Sequence, residues 1–244
     1  MRLTQEEKLM YAVMKAIYDS GAPISFKGSM VLKACLLEAG FSDDTRHTVD
    51  IDANWYTETQ PSPEQIVSSL QEALNKNGID LGVSMYRMFG EGRSAGFDLT
   101  LRNSDTPLFS MDIDVNRPAV LTKVYEVEGF RFRGVVPTQM LADKVSVVSS
   151  DKVFRRIKDV IDLYYLSKVI EFHKCDVLRA LESSGRALGG FHDFLHRRTE
   201  LDHAYEIFRF TGDVGKPAFD EVYCSVKSYI HELLPIERTP DIER

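Results

Sequence analysis

Cysteine, tryptophan and long apolar runs are scarce in this sequence of 244 residues, which contains three cysteines and one tryptophan. Cys35, Cys175 and Cys224 are odd in number and far apart, which predicts no disulfide framework and fits a reducing cytoplasm. No stretch approaches the roughly 20 apolar residues of a membrane span, and charged residues interrupt any apolar core of a signal peptide near the N-terminus. We therefore expect a cytoplasmic protein with no membrane partner.

An excess of positive charge is also missing, because 30 Lys and Arg residues stand against 37 Asp and Glu, for a formal net charge of -7. Nonspecific affinity for nucleic acid comes mainly from Lys and Arg side chains that neutralise phosphates, so this chain is not expected to coat nucleic acid. Local basic patches can still bind it. The net charge therefore neither supports nor excludes a nucleic-acid substrate.

The apolar pattern changes its period once along the chain. Helical and strand-like stretches are mixed up to residue 136, whereas every later apolar pattern is helical. We therefore predict an α+β protein with a mixed sheet and flanking helices in residues 1–136. Residues 137–244 are predicted to form a helical lobe that completes an active-site cleft at the seam.

Local patterns predict where the elements lie. Thr4 with Glu7, and Ser62 with Pro63, are typical of helix N-termini. Strands are predicted at 24–27, 49–53, 81–89, 96–102, 108–115 and 120–132, with a turn at 117–118. Helices are predicted at 29–39, 138–148, 152–169, 175–181, 201–210 and 217–234.

Gly28 and Ser29 join a short strand to the helix at 29–39 and are suited to bind phosphate. Glycine lets the backbone approach a ligand closely, and a helix N-terminus offers unpaired N–H groups and the positive end of its dipole. Ordinary helix capping explains a Gly-Ser pair equally well. The phosphate site is therefore one of two interpretations.

Asp50 and Asp52 alternate with apolar residues on the next predicted strand. They point to one face, while Val49, Ile51 and Ala53 point into the core. Two carboxylates on one face repel each other unless a cation lies between them, and Mg²⁺ or Mn²⁺ with oxygen ligands is expected there. The alternative is a strand whose polar face is merely solvated.

Asp112 and Asp114 repeat this arrangement within a later apolar strand, where an unpaired charge would be costly. In two-metal phosphoryl transfer a third carboxylate ligates metal and accepts the proton of the attacking hydroxyl. Either residue can fill that role. The alternative is an edge strand with one wet face.

These motifs in this order resemble the nucleotidyltransferase superfamily of DNA polymerase beta. More narrowly, KGSMVLKACL at 27–36 and RHTVDID at 46–52 resemble the first motif of the AbiEii/AbiGii toxin family, from type IV toxin-antitoxin and phage-defence systems. LADK at 141–144 and FRRIKDVIDL at 154–163 are similar to that family's lysine and its Arg-x-Lys-Asp-x-x-Asp-Leu block. The matches cover roughly the first two-thirds of the chain.

The resemblance implies a role for each matching residue. Gly28 and Ser29 would hold the triphosphate of an NTP substrate, and Arg46 lies where the family also tends to carry arginine. Metal ligands would be Asp50, Asp52 and Asp114, with Asp112 as the rival third carboxylate. In the helical lobe, the implied nucleotide and catalytic residues are Lys144, Arg155, Lys158, Asp159 and Asp162.

The residues of the helical block also have a physical interpretation. Arg155, Lys158, Asp159 and Asp162 lie three, four and seven positions apart, which predicts one shared helix face, with Lys144 pointing from the preceding helix. A lysine there would offset charge that develops on a triphosphate leaving group. A solvated ladder of ion pairs is the alternative.

The resemblance implies a growth-inhibiting toxin that transfers NMP from an NTP to the hydroxyl of an RNA end, such as that of tRNA, or of a protein. A cognate antitoxin is the implied partner. Two alternatives stay open: a nucleotidyltransferase that modifies a small molecule such as an aminoglycoside, and a nucleotide-binding or partner-binding module without turnover.

Two further groups could bind RNA. Trp55 and Tyr56 could stack on a base, or could line the edge of the core. The most basic patch could hold an RNA backbone, contact an antitoxin or be a solvated face. It consists of Arg186, His192, His196, Arg197 and Arg198.

Overall fold

The computed structural model describes residues 3–41, 45–57, 59–89, 93–104, 106–115, 120–210 and 215–233. These residues form two compact units, of which the first reaches to Met140 and the second begins at Leu141. All seven strands found in the described ranges belong to the first unit, and the second is helical. The predicted α+β class is confirmed. No membrane-spanning helix occurs within the same ranges.

The first unit is built on one mixed sheet. Its strands are β1 (Ile24–Lys27), β2 (Asp50–Trp55), β3 (Leu81–Phe89), β4 (Ser94–Leu101), β5 (Pro107–Asp114), β6 (Thr122–Val127) and β7 (Phe130–Val135). The strand order is β3-β4-β5-β2-β1-β7-β6. β2 runs parallel to β5, and β1 runs parallel to β7 but antiparallel to β2. The two strands that carry the aspartate pairs are therefore neighbours near the middle of the sheet.

Burial alternates along these two strands. Ile51 and Ala53 in β2 and Met111 and Ile113 in β5 are buried, while the residues between them are half-buried. Val49 was predicted to point into the core, but it precedes β2 and is 64% exposed. One face of the sheet thus belongs to the core, and the other carries polar side chains.

The strand predicted at 120–132 is two strands. Glu128 and Gly129 have positive φ values of 47° and 85°, and β6 and β7 pair antiparallel on either side of them. Two such residues form the tight turn of a hairpin, whereas the apolar pattern alone continues through them. The turn predicted at 117–118 lies outside the described residues.

The described helices flank the sheet of the first unit and make up the second. They are α1 (Gln5–Ser20), α2 (Gly28–Glu38), α3 (Pro63–Lys76), α4 (Pro137–Val148), α5 (Ile157–Val169), α6 (Lys174–Ser183), α7 (His192–His196), α8 (Arg198–Ile207) and α9 (Phe219–Leu233). The predicted N-terminal caps of α1 and α3 are confirmed as capping boxes. The five-residue α7 was not predicted, because it is too short to show a helical period.

Glu7 joins α1 to α2 through a buried ion pair. One carboxylate oxygen accepts a hydrogen bond from the backbone N–H of Thr4 at 2.9 Å. The other lies 2.6 Å from Nζ of Lys33, and the two side chains are 0% and 5% exposed. A single carboxylate therefore closes the capping box and neutralises a buried ammonium.

We predict that Glu7→Ala lowers the free energy of unfolding by about 3–5 kcal/mol, because it leaves the Lys33 charge buried without its partner. Thr4→Ala removes only the cap and should cost about 1 kcal/mol. Urea unfolding followed by circular dichroism measures both. Equal losses in the two variants would contradict a special contribution from the ion pair.

Candidate active site

A row of five residues crosses the sheet on its polar face. Adjacent strands place Lys27 of β1, Asp52 of β2, Asp112 of β5, Gly96 of β4 and Arg87 of β3 side by side as Cα partners. We call this set the central row. Neighbouring strands lie about 4.8 Å apart, so the two aspartates of the row are direct neighbours between two cationic residues.

Four half-buried carboxylates share this face. Asp50 and Asp52 of β2, and Asp112 and Asp114 of β5, occupy the polar positions of the two parallel strands. We call them the acidic face. Because β5 lies between β4 and β2 in the sheet, the alternative of an edge strand does not apply to Asp112 and Asp114.

Hydroxyl groups donate to three of these carboxylates, Asp50, Asp112 and Asp114. Oγ1 of Thr48 donates to Oδ1 of Asp50 at 2.9 Å, and the phenol of Tyr86 donates to Oδ1 of Asp112 at 3.1 Å. Burial, followed by the nearby charge of Asp112, raises the pKa of Tyr86 above its usual value. The phenol therefore keeps its proton and remains a donor.

Lys27 supplies a cation to the acidic face. Its Nζ lies 2.5 Å from Oδ2 of Asp114 and 2.7 Å from Oδ1 of Asn54, and the Ser94 hydroxyl donates to the other oxygen of Asp114. The sequence interpretation missed this lysine. Its position next to Gly28, at the polar end of the buried strand β1, is the feature that could have identified it.

Gly28 allows the start of α2 to lie directly against Asp52. Its φ is +69°, and a Cβ atom there would lie 2.8 Å from Cβ and Cγ of Asp52 and overlap its carboxylate. Arg46 Nη2 donates to the Ser29 hydroxyl at 2.6 Å. The structure thus brings together four predicted residues: Gly28, Ser29, Arg46 and Asp52.

The acidic face suits a hard divalent cation, since it offers carboxylate oxygens at a turn where phosphate can also bind. Within the described ranges, no three His, Cys, Asp or Glu side chains converge into a ready-made metal cage. Mg²⁺ does not require one, because it commonly takes one or two carboxylates and completes its shell with waters and substrate phosphates. The residues present therefore fit such an ion at Asp50 and Asp52.

The second unit contains a buried charged cluster. Nζ of Lys144 lies 2.6 Å from Asp162 and 3.3 Å from Asp159, and Nε of Arg156 lies 2.6 Å from Asp159. Lys144, Asp159 and Asp162 are 6%, 4% and 1% exposed, so a solvated ladder does not describe them.

The predicted shared face of Arg155, Lys158, Asp159 and Asp162 is wrong for the first of these residues. Arg155 is exposed and ends a short 3-10 helix at Val153–Arg155. Arg156 has φ -127° and ψ 36°, which separates this turn from α5. The arginine that contacts Asp159 is therefore Arg156, while Lys158 is half-buried in the first turn of α5.

The other groups considered for RNA binding lie in less favourable surroundings. Trp55 is 8% exposed and lies on the buried face of β2, whereas Asp52 lies on the other face. Tyr56 is 42% exposed. All three arginines of the basic patch contact carboxylates, which lowers its net positive charge. They pair as Arg186 with Asp143, Arg197 with Asp193 and Glu200, and Arg198 with Asp220.

A phosphate-suited turn lies beside two parallel strands that carry aspartates, as the resemblance to nucleotidyltransferases implies. The fold is similar to that of MenT4, a nucleotidyltransferase toxin from Mycobacterium tuberculosis, with a TM-score of 0.59 and 14% sequence identity over 96% of this chain and 84% of that one. The family model "Nucleotidyl transferase AbiEii toxin, Type IV TA system" matches residues 10–223. The chain belongs to this family and is a nucleotidyltransferase. No curated protein matches it significantly by sequence.

We predict that Gly28→Ala lowers nucleotidyl transfer by about 100-fold, the loss typical of a small misplacement of reacting groups, because the new methyl group displaces the Asp52 carboxylate. Gly21→Ala is the matched control. Its φ is +78°, and nothing lies within 4 Å of the added Cβ.

Both substitutions place an L side chain at positive φ and should cost about 1–2 kcal/mol in stability. Thermal unfolding and transfer assays on the two variants separate strain from displacement of Asp52. Equal activity in the two variants would show that contact with Asp52 is unimportant.

Proposed function

We propose that this chain transfers the nucleoside monophosphate of an NTP to a hydroxyl at an RNA end, with tRNA as the acceptor class, and that the reaction needs Mg²⁺ or Mn²⁺. The observation that carries the proposal is the parallel register of β2 and β5, which sets Asp52 beside Asp112 and next to the Gly28 turn. The type of reaction, nucleotidyl transfer, follows from membership of the family.

The acceptor oxygen attacks the α-phosphorus and forms a new P–O bond. The bond from that phosphorus to the oxygen bridging to the β-phosphate breaks, pyrophosphate leaves, and the acceptor proton passes to a carboxylate. Little covalent chemistry falls to the protein, so catalysis consists mainly of positioning and charge neutralisation.

The start of α2 is the proposed triphosphate site. The first turn of α2 contains no acidic residue and its N-cap residue makes no side-chain cap hydrogen bond, so the backbone N–H groups at Gly28 and Ser29 would donate to the phosphates, with the Asp52 carboxylate close by for the divalent ion. Arg46 adds a guanidinium beside the Ser29 hydroxyl. Asp50 and Asp52 would hold the divalent ion, which would neutralise charge on the phosphates.

We assign the role of proton acceptor to Asp112 and keep Asp114 as its rival. Asp112 is the register partner of Asp52 and accepts a hydrogen bond from a phenol. The Lys27 ammonium and the Ser94 hydroxyl already occupy the two oxygens of Asp114. Asp114 is thereby better placed to fix Lys27 than to receive a proton.

In the second unit, Lys144 with Asp159 and Asp162 is the proposed functional cluster, and Arg155 and Lys158 are proposed nucleotide contacts of the same block. The support is its burial, since a lysine at 6% exposure between two carboxylates costs desolvation free energy. A cognate antitoxin is the proposed protein partner, as the toxin-antitoxin family suggests.

We expect the protein to label total tRNA when it is incubated with Mg²⁺ and each α-³²P-labelled NTP in turn, and EDTA to abolish the labelling. Asp52→Asn should reduce the rate by more than the ~100-fold that is typical of an outer-shell residue. Asp98→Asn is the matched control, because Asp98 lies on the same polar face, in β4 opposite Ser110, outside the central row.

The outcome also tests the acceptor class. Label on protein instead of tRNA would favour a protein hydroxyl, and label only on an added aminoglycoside would favour small-molecule modification. Equal rates for Asp52→Asn and the wild type would contradict the proposed site.

A further inference from the structure

Tyr86 covers the one residue of the central row that has no side chain. A Cβ atom on Gly96 would lie 2.5–2.6 Å from Cζ, Cε1 and Oη of Tyr86, so the ring rests directly on the glycine backbone. The register of β3 with β4 is irregular between Met85 and Arg87, which places Tyr86 in a bulge. Bulges commonly re-aim a side chain beside an active site.

The ring is both held and accessible. Contact with Gly96 covers one side, and the hydrogen bond to Asp112 fixes the phenol end. Tyr86 is nevertheless 46% exposed, on an outer strand of the sheet. The exposed part of an aromatic ring fixed in this way can contact a ligand at little cost in conformational entropy.

The direction of the reaction places the acceptor on the same side as Tyr86. In phosphoryl transfer the attacking and leaving oxygens lie roughly in line on opposite sides of the phosphorus. The proposed pyrophosphate site lies at the end of β1, and β2 holds the proposed metal ligands. Continuing in the same direction across the sheet leads to β5, β4 and β3, where Asp112, Gly96 and Tyr86 lie.

We propose that the exposed face of the Tyr86 ring stacks on the terminal base of the acceptor RNA and positions its hydroxyl for attack. This inference rests on the proposed function. Base stacking on aromatic side chains is tolerant of sequence, because every base has a π-face. Arg87, the next residue and the last of the central row, adds a cationic side chain to the same side of the sheet.

The test measures KM for tRNA and KM for the NTP separately. Tyr86→Leu should raise KM for tRNA by about 5- to 150-fold, the range of one lost base stack, and leave KM for the NTP unchanged. Tyr86→Phe retains the ring and should restore KM for tRNA to within about twofold of the wild type. Gly96→Ala displaces the ring and should resemble Tyr86→Leu.

Met85→Ala is the control on the same strand, because Met85 is 42% exposed and pairs opposite the buried Phe97, on the other face of the sheet. It should leave both KM values unchanged. Fluorescence anisotropy with a labelled single-stranded RNA, in the absence of NTP and metal, should show the same order of affinities. Thermal unfolding confirms that each variant is folded.

Three results would overturn the inference. An increase in KM for the NTP would assign Tyr86 to the nucleotide, and unchanged constants in Tyr86→Leu would leave the ring as a structural cover for Gly96. Failure of the wild type to label or bind tRNA would remove the RNA acceptor and the inference with it. A negative result with the wild type would contradict the proposed function. A negative result with the Tyr86 variants alone would contradict only the stacking inference.

Discussion

The parallel pairing of β2 with β5 is the constraint on which the first unit depends. Side chains alternate along a strand, so a slip of one residue would move Asp52 or Asp112 into the core and bring an apolar neighbour to the polar face. The register that buries Ile51 and Met111 therefore also creates the acidic face. Fold and site are specified by the same hydrogen-bonded pairing.

Local features of the fold could be predicted from the sequence, whereas long-range ones could not. The capping boxes depend on residues three positions apart, and the strand at 24–27 on one short apolar run. The contact of Lys27 with Asp114 joins residues 87 positions apart, and nothing near either residue indicates it. The start of α5 was missed because the backbone of Arg156, and not a Gly or Pro, interrupts the helix.

The same limit applies to the candidate site. The alternation of polar and apolar residues predicted that Asp50 and Asp52 share one face of a strand, and likewise Asp112 and Asp114. Only the order of the strands in the sheet shows that the two pairs are neighbours. The strand at 81–89 was predicted correctly, but the bulge at Tyr86 leaves no trace in the apolar pattern. Replacing buried ion clusters by apolar groups is often neutral or stabilising, so the cluster around Lys144 is not explained by stability alone.

The ammonium of Lys27 bears on whether the protein needs a bound ion in order to fold. Small metal-dependent domains obtain their folding free energy from the ion, and they unfold without it. Here a covalently attached cation already offsets part of the charge of the acidic face. The first unit is therefore expected to fold without a bound ion, and in the proposed metal-dependent reaction a shortage of divalent cation would lower activity without unfolding the protein.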